Sequence, residues 1–209
     1  MSDRRRRASN ARRVAARRRA RRRMLRATWV TAAVALAASV LLLILGLVTA
    51  RGEEYCVEQP QEFPALGVHG WRGEQLENAA IIVRTADGMD LERDAQVLGV
   101  MAAMGESSLR NIDFGDWETS GVTNPDGSRT TSIGLFQQQE WWGTVEERMD
   151  PATAAARFFA RLRTIPGWQD LPPSHAIHRV QINSDSEHYA PFQDDAIAVV
   201  EALSGSCPA

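Results

Sequence analysis

The chain has 209 residues, a length that fits one ordinary domain with appendages. All 24 basic residues are Arg, and the absence of Lys excludes a Ser-x-x-Lys catalytic site. The net charge of −2 hides two oppositely charged parts, because residues 1–26 hold 13 Arg and one acid while the remaining chain is acidic.

Residues 27–50 follow the Arg-rich tail and contain neither a charged residue nor Pro. As a helix rising about 1.5 Å per residue they would reach roughly 36 Å, enough to cross a hydrocarbon core of about 30 Å. We therefore predict a transmembrane helix of the signal-anchor type, with the Arg-rich flank in the cytoplasm. A signal peptide cleaved after Ala50 is the alternative, although the apolar run is longer than is usual for one. Both interpretations place the rest of the chain outside the cell membrane.

The Arg-rich tail, residues 1–26, suits two kinds of partner. Clustered Arg residues can bind nucleic acid. Next to a membrane span, such a cluster more often sets the topology and contacts anionic lipid headgroups. We expect anionic lipids as the partner and no nucleic acid.

Two cysteines, Cys56 and Cys207, lie near the two ends of the outer region. Outside the cell they can stay oxidised, and a disulfide closing so long a loop stabilises by roughly 5 kcal/mol in the chain-entropy model. A catalytic thiol is the alternative. It is disfavoured because neither cysteine lies at a helix start that would activate a thiolate. We predict the disulfide.

The outer region begins with a linker, residues 51–73, which is rich in Gly, Pro and Glu and has no periodicity. Helical spacing of apolar residues and candidate caps then predict five helices. They cover 73–86, a segment capped by Asp90 that runs through 95–104, 150–162 capped by Asp150, 174–181 capped by Ser174, and 194–203. The turn sequence Asn124-Pro-Asp-Gly127 predicts a small β hairpin between the second and third helices. Residues 74–209 are therefore expected to form one mainly helical α+β domain.

Glu106 is the main candidate for a catalytic residue. It comes at the end of 95–104, a segment that is apolar on every face and should be buried on every face. A carboxyl held against apolar walls has a raised pKa, because burial disfavours its charged form. A general acid for glycosidic cleavage needs that property. The alternative is a helix-terminal Glu turned to solvent.

Three features together resemble the lysozyme-like superfamily, most closely the lytic transglycosylases and goose-type lysozymes. Glu106-Ser107 ends a buried helix, a polar hairpin stretch follows, and Gly134-Leu-Phe-Gln-Gln138 then looks like the family's Gly-Leu-Met-Gln motif with Phe in place of Met. Tyr189 lies where a Tyr-containing third motif is expected, but the family's Ala-Tyr-Asn-like run is absent. The resemblance covers about residues 74–203 and implies a lysozyme-like fold.

The resemblance also implies roles for site residues. Glu106 would be the catalytic acid, and the substrate-binding residues would be Ser107, Gly134, Gln137, Gln138 and Tyr189. Gly134 allows a close backbone approach to the substrate, and the two Gln amides can bind sugar hydroxyls and N-acetyl groups. Phe136 is expected in the core, whereas Trp141 and Trp142 suit either core packing or stacking on sugars.

A glycoside hydrolase normally needs a second carboxylate. Asp113, Asp116 and Glu118 in the hairpin region are the candidates, with turn formation and surface solvation as the alternative. The resemblance offers a route without a second carboxylate. Lytic transglycosylases use one Glu, first as acid and then as base, while the 6-hydroxyl of muramic acid attacks the anomeric carbon.

We therefore expect a membrane-anchored peptidoglycan-cleaving enzyme, a lytic transglycosylase or muramidase, acting between N-acetylmuramic acid and N-acetylglucosamine. A non-catalytic glycan-binding or scaffolding component of a cell-envelope secretion or conjugation apparatus is the alternative. No cofactor and no metal is expected. His175 and His178 share a predicted helix face, but no His-Glu-x-x-His run accompanies them.

Overall fold

The computed structural model describes Phe63 and residues 65–204. The chain divides into Met1–Gly52 and Glu53–Ala209, and all described residues belong to the second part. The predicted Arg-rich tail, the predicted membrane helix over 27–50, and both cysteines, Cys56 and Cys207, lie outside the described residues. Within the described part of the chain, none of the helices combines the length and the apolar character that a membrane crossing requires.

The described region is mainly helical, as predicted. Its α-helices are α1 (Glu74–Gly88), α2 (Arg93–Ser107), α3 (Asp116–Ser120), α4 (Val145–Met149), α5 (Pro151–Leu162), α6 (Pro173–Gln181) and α7 (Gln193–Ala202). Three 3₁₀ turns, Glu140–Trp142, Trp168–Asp170 and Ala190–Phe192, connect them. Between residues 65 and 204 the β structure is limited to isolated bridges.

Helix α2 is the centre of the core. From Ala95 to Met104 all but one of its residues are buried, as its all-round apolar sequence predicted, and it contacts α1, α5, α6 and α7. Gly99 allows a close approach of α5 and α1, because a Cβ atom there would lie 2.6 Å from Cζ of Phe159 and 2.7 Å from Cγ2 of Ile82. The packing of these four helices around α2 fixes the direction in which its last turn, with Glu106, emerges.

Two predicted helix caps are wrong. Asp90 is not the N-cap of α2; its φ is 54°, its N–H donates to the Asp87 carbonyl, and α2 starts only after Glu92. Ser174 is not the N-cap of α6 but its second residue, since Pro172 precedes the helix. Asp90 lies in a turn before α2 and Ser174 lies inside the first turn of α6, so neither side chain is placed to cap the orphan N–H groups.

The cap predicted for α5 is confirmed. Asp150 precedes the helix, its carboxylate accepts from the N–H of Thr153 at 2.8 Å, and Pro151 occupies the first helical position. The aromatic residues of α5 then enter the core, and the ring of Phe158 stacks on Phe136 with centroids 5.1 Å apart. The prediction that Phe136 belongs to the core is thereby confirmed.

The polar stretch after α2 is less regular than a hairpin. One antiparallel bridge joins Thr123 to Arg129 around the predicted Asn124–Gly127 turn, in which the Gly127 N–H donates to the Asn124 carbonyl at 2.8 Å. The short helix α3, which the sequence reading did not predict, precedes it. We call residues 113–131 the polar lobe. It is the part of the domain that carries the candidate second carboxylates.

Candidate active site

Glu106 lies in the last turn of α2. The helix ends at Ser107, and Ser108 adopts the left-handed conformation that terminates it. Glu106 is half-buried, between the fully buried Met104 and the exposed Ser108. The carboxyl group thus sits at the boundary between the core and solvent, and it is not the solvent-directed Glu of the alternative interpretation.

Two side chains donate hydrogen bonds to the same oxygen of Glu106. The Tyr189 hydroxyl donates to Oε1, and Nε2 of Gln181 donates to Oε1 at 3.1 Å. Oε2 accepts no hydrogen bond from the described residues. Because both donors occupy one oxygen, the other is left without a donor and can carry the proton of the protonated acid.

Burial raises the pKa of Glu106 from 4.5 to about 7, against the lowering effect of the hydrogen bonds from Tyr189 and Gln181. The negative charge of Asp116 adds to the increase. A carboxyl with this pKa is about half protonated at neutral pH, and the protonated form is the state a general acid requires.

The segment 134–138 forms a tight turn against the end of α2. Ile133 and Gln138 pair through two backbone hydrogen bonds of 3.2 and 3.0 Å, and the N–H of Gln137 donates to the Gly134 carbonyl. The Ser107 hydroxyl donates to the Leu135 carbonyl at 2.7 Å. The turn and the last turn of α2 are therefore held together next to Glu106, as the order of the motifs implied.

Gln181 makes a second connection between these parts. Its Nε2 donates to the Phe136 carbonyl at 2.9 Å as well as to Glu106. Gln181 is the last residue of α6, and the sequence reading did not identify it as a site residue. A polar residue at a helix end was the only local signal, and such residues are common.

Three residues predicted to bind substrate make their contacts within the protein. Gly134 is buried with φ 78°, and a Cβ there would lie 2.1 Å from the Arg148 carbonyl oxygen, so internal packing alone requires the glycine. Gln138 is 1 % exposed, and its Nε2 donates to the Ala154 carbonyl at 3.0 Å. The buried Ser107 hydroxyl is used by Leu135. Each of the three residues makes contacts inside the protein, although Oε1 of Gln138 accepts no hydrogen bond from the described residues.

Gln137 differs from its neighbour. It is half-buried with φ 45°, and its Nε2 donates to the carbonyls of Phe114 and Gly134, both at 3.2 Å. The side chain thus ties the 134–138 turn to the polar lobe. Among the described contacts it makes no hydrogen bond to Glu106.

The three candidate second carboxylates are placed differently. Glu118 is engaged within the polar lobe: it accepts from the Gly115 N–H and pairs with Arg129, and these hydrogen bonds lower its pKa. Asp113 is exposed. Asp116 is exposed as well, yet its charge acts on Glu106. Asp116 is therefore the candidate that the fold brings electrostatically close to the acid.

Tyr189 is fully buried, and its hydroxyl has a second hydrogen-bond partner besides Glu106. Nδ2 of Asn183 donates to the Tyr189 hydroxyl at 2.9 Å, and Oδ1 of Asn183 lies 2.5 Å from Nδ1 of His178. Burial, followed by the charge of Glu106, keeps the pKa of Tyr189 above its ordinary value, so the hydroxyl stays protonated. The sequence reading selected Tyr189 but neither Asn183 nor this use of His178.

A pocket of about 590 Å³ lies beside the end of α2. Its walls include Ser107, Ser108 and Phe114, and Phe114 is 43 % exposed.

The two residues of the Trp pair differ in exposure. Trp141 is 63 % exposed, whereas Trp142 packs against the core with the Arg161 guanidinium 5.0 Å from its ring centroid. Exposed aromatic surface is therefore available at Phe114 and Trp141.

Among residues 65–204, no three His, Cys, Asp or Glu side chains are grouped so that they could hold a metal ion. His175 and His178 point to different partners, Glu187 and Asn183. No protein-family model matches the chain, and no curated protein is significantly similar to it.

Proposed function

We propose that the outer domain is a lysozyme-like domain of the lytic transglycosylase and goose-type lysozyme kind, and that it cleaves peptidoglycan glycan strands. The observation that carries this proposal is Glu106: a half-buried carboxyl at the end of the central helix, with a pKa of about 7 and both hydrogen-bond donors on one oxygen. The neighbouring 134–138 turn supports the resemblance.

In the proposed reaction, Glu106 is the general acid. Its Oε2 proton moves to the glycosidic oxygen between N-acetylmuramic acid and N-acetylglucosamine as the bond from the anomeric carbon to that oxygen breaks. Tyr189 and Gln181 stabilise the carboxylate left behind, because each keeps donating to Oε1. The carboxylate can then act as base in the second half of the reaction.

The second half has two forms. In a transglycosylase, the 6-hydroxyl of muramic acid attacks the anomeric carbon, its proton passes to Glu106, and a 1,6-anhydro sugar forms without water. In a muramidase, water attacks instead, and a second carboxylate activates it or stabilises the intermediate. Asp116 is the candidate for that role, since its charge reaches Glu106. The transglycosylase form does not require it.

The cellular setting is part of the proposal. Residues 27–50 would anchor the protein as a single-pass membrane protein with its N-terminus in the cytoplasm, the Arg-rich tail would contact anionic lipids, and Cys56 and Cys207 would form a disulfide. The enzyme would then act on the wall close to the membrane.

The second candidate function is glycan binding without cleavage, as a scaffolding component of an envelope-spanning secretion or conjugation apparatus. One observation favours it: two expected sugar ligands, Gly134 and Gln138, are buried inside the domain. A site with fewer polar contacts to substrate could bind glycan weakly and leave it intact.

The test is digestion of purified peptidoglycan by the full-length protein in detergent, with Glu106→Gln as the matched variant. We expect soluble muropeptides from the wild type and at least ~100-fold less from the variant, the scale of losing a general acid. Mass spectrometry of the products distinguishes anhydro from reducing ends. Release of no muropeptides between pH 4 and 8, with glycan pull-down retained, would favour the binding function.

A further inference from the structure

We propose that His178 and Asn183 are positioning residues that fix the direction of the Tyr189 hydroxyl, so that Oε1 of Glu106 is always an acceptor and the acid proton is carried on Oε2. This inference deepens the proposed function, since it assigns the orientation of the same acid. It rests on a continuous set of hydrogen bonds running from α6 to the end of α2.

The starting point is the buried hydroxyl of Tyr189. The residue is 0 % exposed, so this hydroxyl must exchange hydrogen bonds with the protein. It has one hydrogen to donate and two heavy-atom neighbours, Oε1 of Glu106 and Nδ2 of Asn183. Which neighbour receives that hydrogen decides whether Glu106 accepts or donates.

Asn183 settles the direction. An amide nitrogen can only donate, so Nδ2 of Asn183 donates to the Tyr189 oxygen, and the Tyr189 hydrogen is directed to Glu106. The opposite amide orientation would place Oδ1 beside the hydroxyl and draw the hydrogen away from Glu106. The orientation of the Asn183 amide is therefore the variable that must be held.

His178 holds it when Nδ1 carries the ring hydrogen. Nδ1 lies 2.5 Å from Oδ1 of Asn183, and because an amide oxygen can only accept, this tautomer fixes the amide with Nδ2 toward Tyr189. His178 is in α6 and Asn183 follows its end, where Ile182 adopts φ 57° and lets the chain turn back. Gln181, the last residue of α6, is the second donor to Oε1.

The nearby pair of His175 and Glu187 provides a control. His175 is in the same helix, and its Nε2 lies 2.5 Å from Oε1 of Glu187, an exposed carboxylate. Neither residue contacts Tyr189 or Asn183 through the described hydrogen bonds. A substitution of His175 therefore removes a histidine of the same helix and its contact with Glu187. It does not alter the direction of the Tyr189 hydroxyl.

The first experiment needs no activity. With ¹⁵N-labelled histidine in the full-length protein at pH 8, we expect His178 to carry its hydrogen on Nδ1, and Asn183→Ala to release it to a mixture of tautomers. A His178 hydrogen on Nε2 alone would mean that the set of hydrogen bonds runs in the opposite direction and would overturn the proposal.

The second experiment uses the titration of Glu106, followed by its carboxyl ¹³C shift. The charged side chain that acts on Glu106 is Asp116, which all variants keep. In Asn183→Asp the new carboxylate draws the Tyr189 hydrogen to itself, so the midpoint of Glu106 should move to higher pH by roughly one unit, the scale of one lost charge-assisted hydrogen bond. His175→Gln should leave it unchanged. An unshifted midpoint in Asn183→Asp contradicts the inference.

The third experiment measures peptidoglycan cleavage. Asn183→Asp should lower kcat roughly 10-fold with little change of KM, and His178→Ala should lower it less, with recovery in His178→Gln because the Gln amide can donate to Asn183. Equal KM and kcat effects, or no recovery, would indicate a structural role and would contradict the proposal. If the wild type is inactive, only the proposed function is refuted. The His178 tautomer and the Glu106 titration can still be measured, because neither needs activity.

Discussion

The ring of Tyr189 packs directly on the backbone of Gly105, where a Cβ atom would lie 2.7 Å from Cδ1 of the ring. That contact is what lets the Tyr189 hydroxyl reach Glu106, the next residue of α2. The residue before the acid thus determines, through its lack of a side chain, how the acid is hydrogen-bonded.

The first prediction concerns this contact. Gly105→Ala should displace the Tyr189 ring, lower the free energy of unfolding by about 1–3 kcal/mol and reduce cleavage together with it, because overpacking moves the buried ring. Thermal unfolding and muropeptide release measure the two effects. Gly88→Ala is the matched control, since a Cβ there meets nothing within 4 Å. An unchanged Gly105→Ala protein would contradict the packing.

The second prediction concerns stability and pH. The pKa of Glu106 is about 7 in the folded protein and 4.5 as its ordinary value. Its protonated form therefore supports folding below pH 4.5, and this contribution is lost as the pH rises through 7. Glu106→Gln should be as stable as the wild type at pH 4.5 and more stable at pH 8, by on the order of 3 kcal/mol at most. Chemical denaturation at both pH values measures the free energies of unfolding. If the variant and the wild type differ by the same amount at pH 4.5 and pH 8, the prediction is refuted.

The third prediction concerns the pH dependence of activity. Because the acid must be protonated, kcat/KM should decrease above about pH 7. Tyr189→Phe removes a hydrogen bond that lowers the pKa of Glu106, so its alkaline limb should move to higher pH. Rates should also decrease, since the carboxylate formed in the reaction loses a donor. A limb that moves to lower pH in Tyr189→Phe would show that the hydroxyl does not donate to Glu106.

The fourth prediction separates the two reaction forms. If the enzyme is a transglycosylase, Asp116→Asn should retain activity within about 10-fold, and removing the charge should move the alkaline limb to lower pH. A muramidase that depends on Asp116 should lose more than ~100-fold. Asp113→Asn, an exposed acid of the same polar lobe, is the control and should behave as the wild type.

The fifth prediction concerns Arg148, a buried cation that supports the 134–138 turn. Its guanidinium donates to the carbonyls of Thr131, Gln138 and Gly143 at 2.6, 2.9 and 3.0 Å. Arg148→Met should leave these carbonyls unsatisfied and lower the free energy of unfolding by about 2–4 kcal/mol.

The comparison for Arg148 is Arg163, an exposed residue with one 3.5 Å contact to the Met89 carbonyl. Arg163→Met should change the free energy of unfolding by less than about 0.5 kcal/mol. If both variants unfold at the same denaturant concentration, Arg148 does not support the turn.

The helices and the location of Glu106 were predictable from the sequence because they depend on local patterns. Apolar residues on every face of α2 required burial on every face, and Asp150-Pro151 marked a helix start. The caps at Asp90 and Ser174 were mispredicted, because a single polar residue does not reveal where the chain turns. Helix α3 lies in a stretch whose Asp, Gly and Thr residues are typical of turns.

The individual site residues were harder to predict. Gln138 matched a motif, yet its side chain lies in the core, whereas that of the neighbouring Gln137 does not. Gln181 and Asn183 matched no motif. Gln181 reaches Glu106 because α6 packs beside α2, and Asn183 reaches the Tyr189 hydroxyl because the chain reverses at Ile182.

The sequence by itself determined that a carboxyl would end the most apolar helix of the domain, since periodicity and composition are local properties. Only the tertiary structure decided which side chains meet that carboxyl. Tyr189 lies 83 positions away and Gln181 lies 75 positions away, and hydrogen bonds over such separations depend on how helices pack. The raised pKa of Glu106 follows from that packing, because desolvation is a property of the folded core.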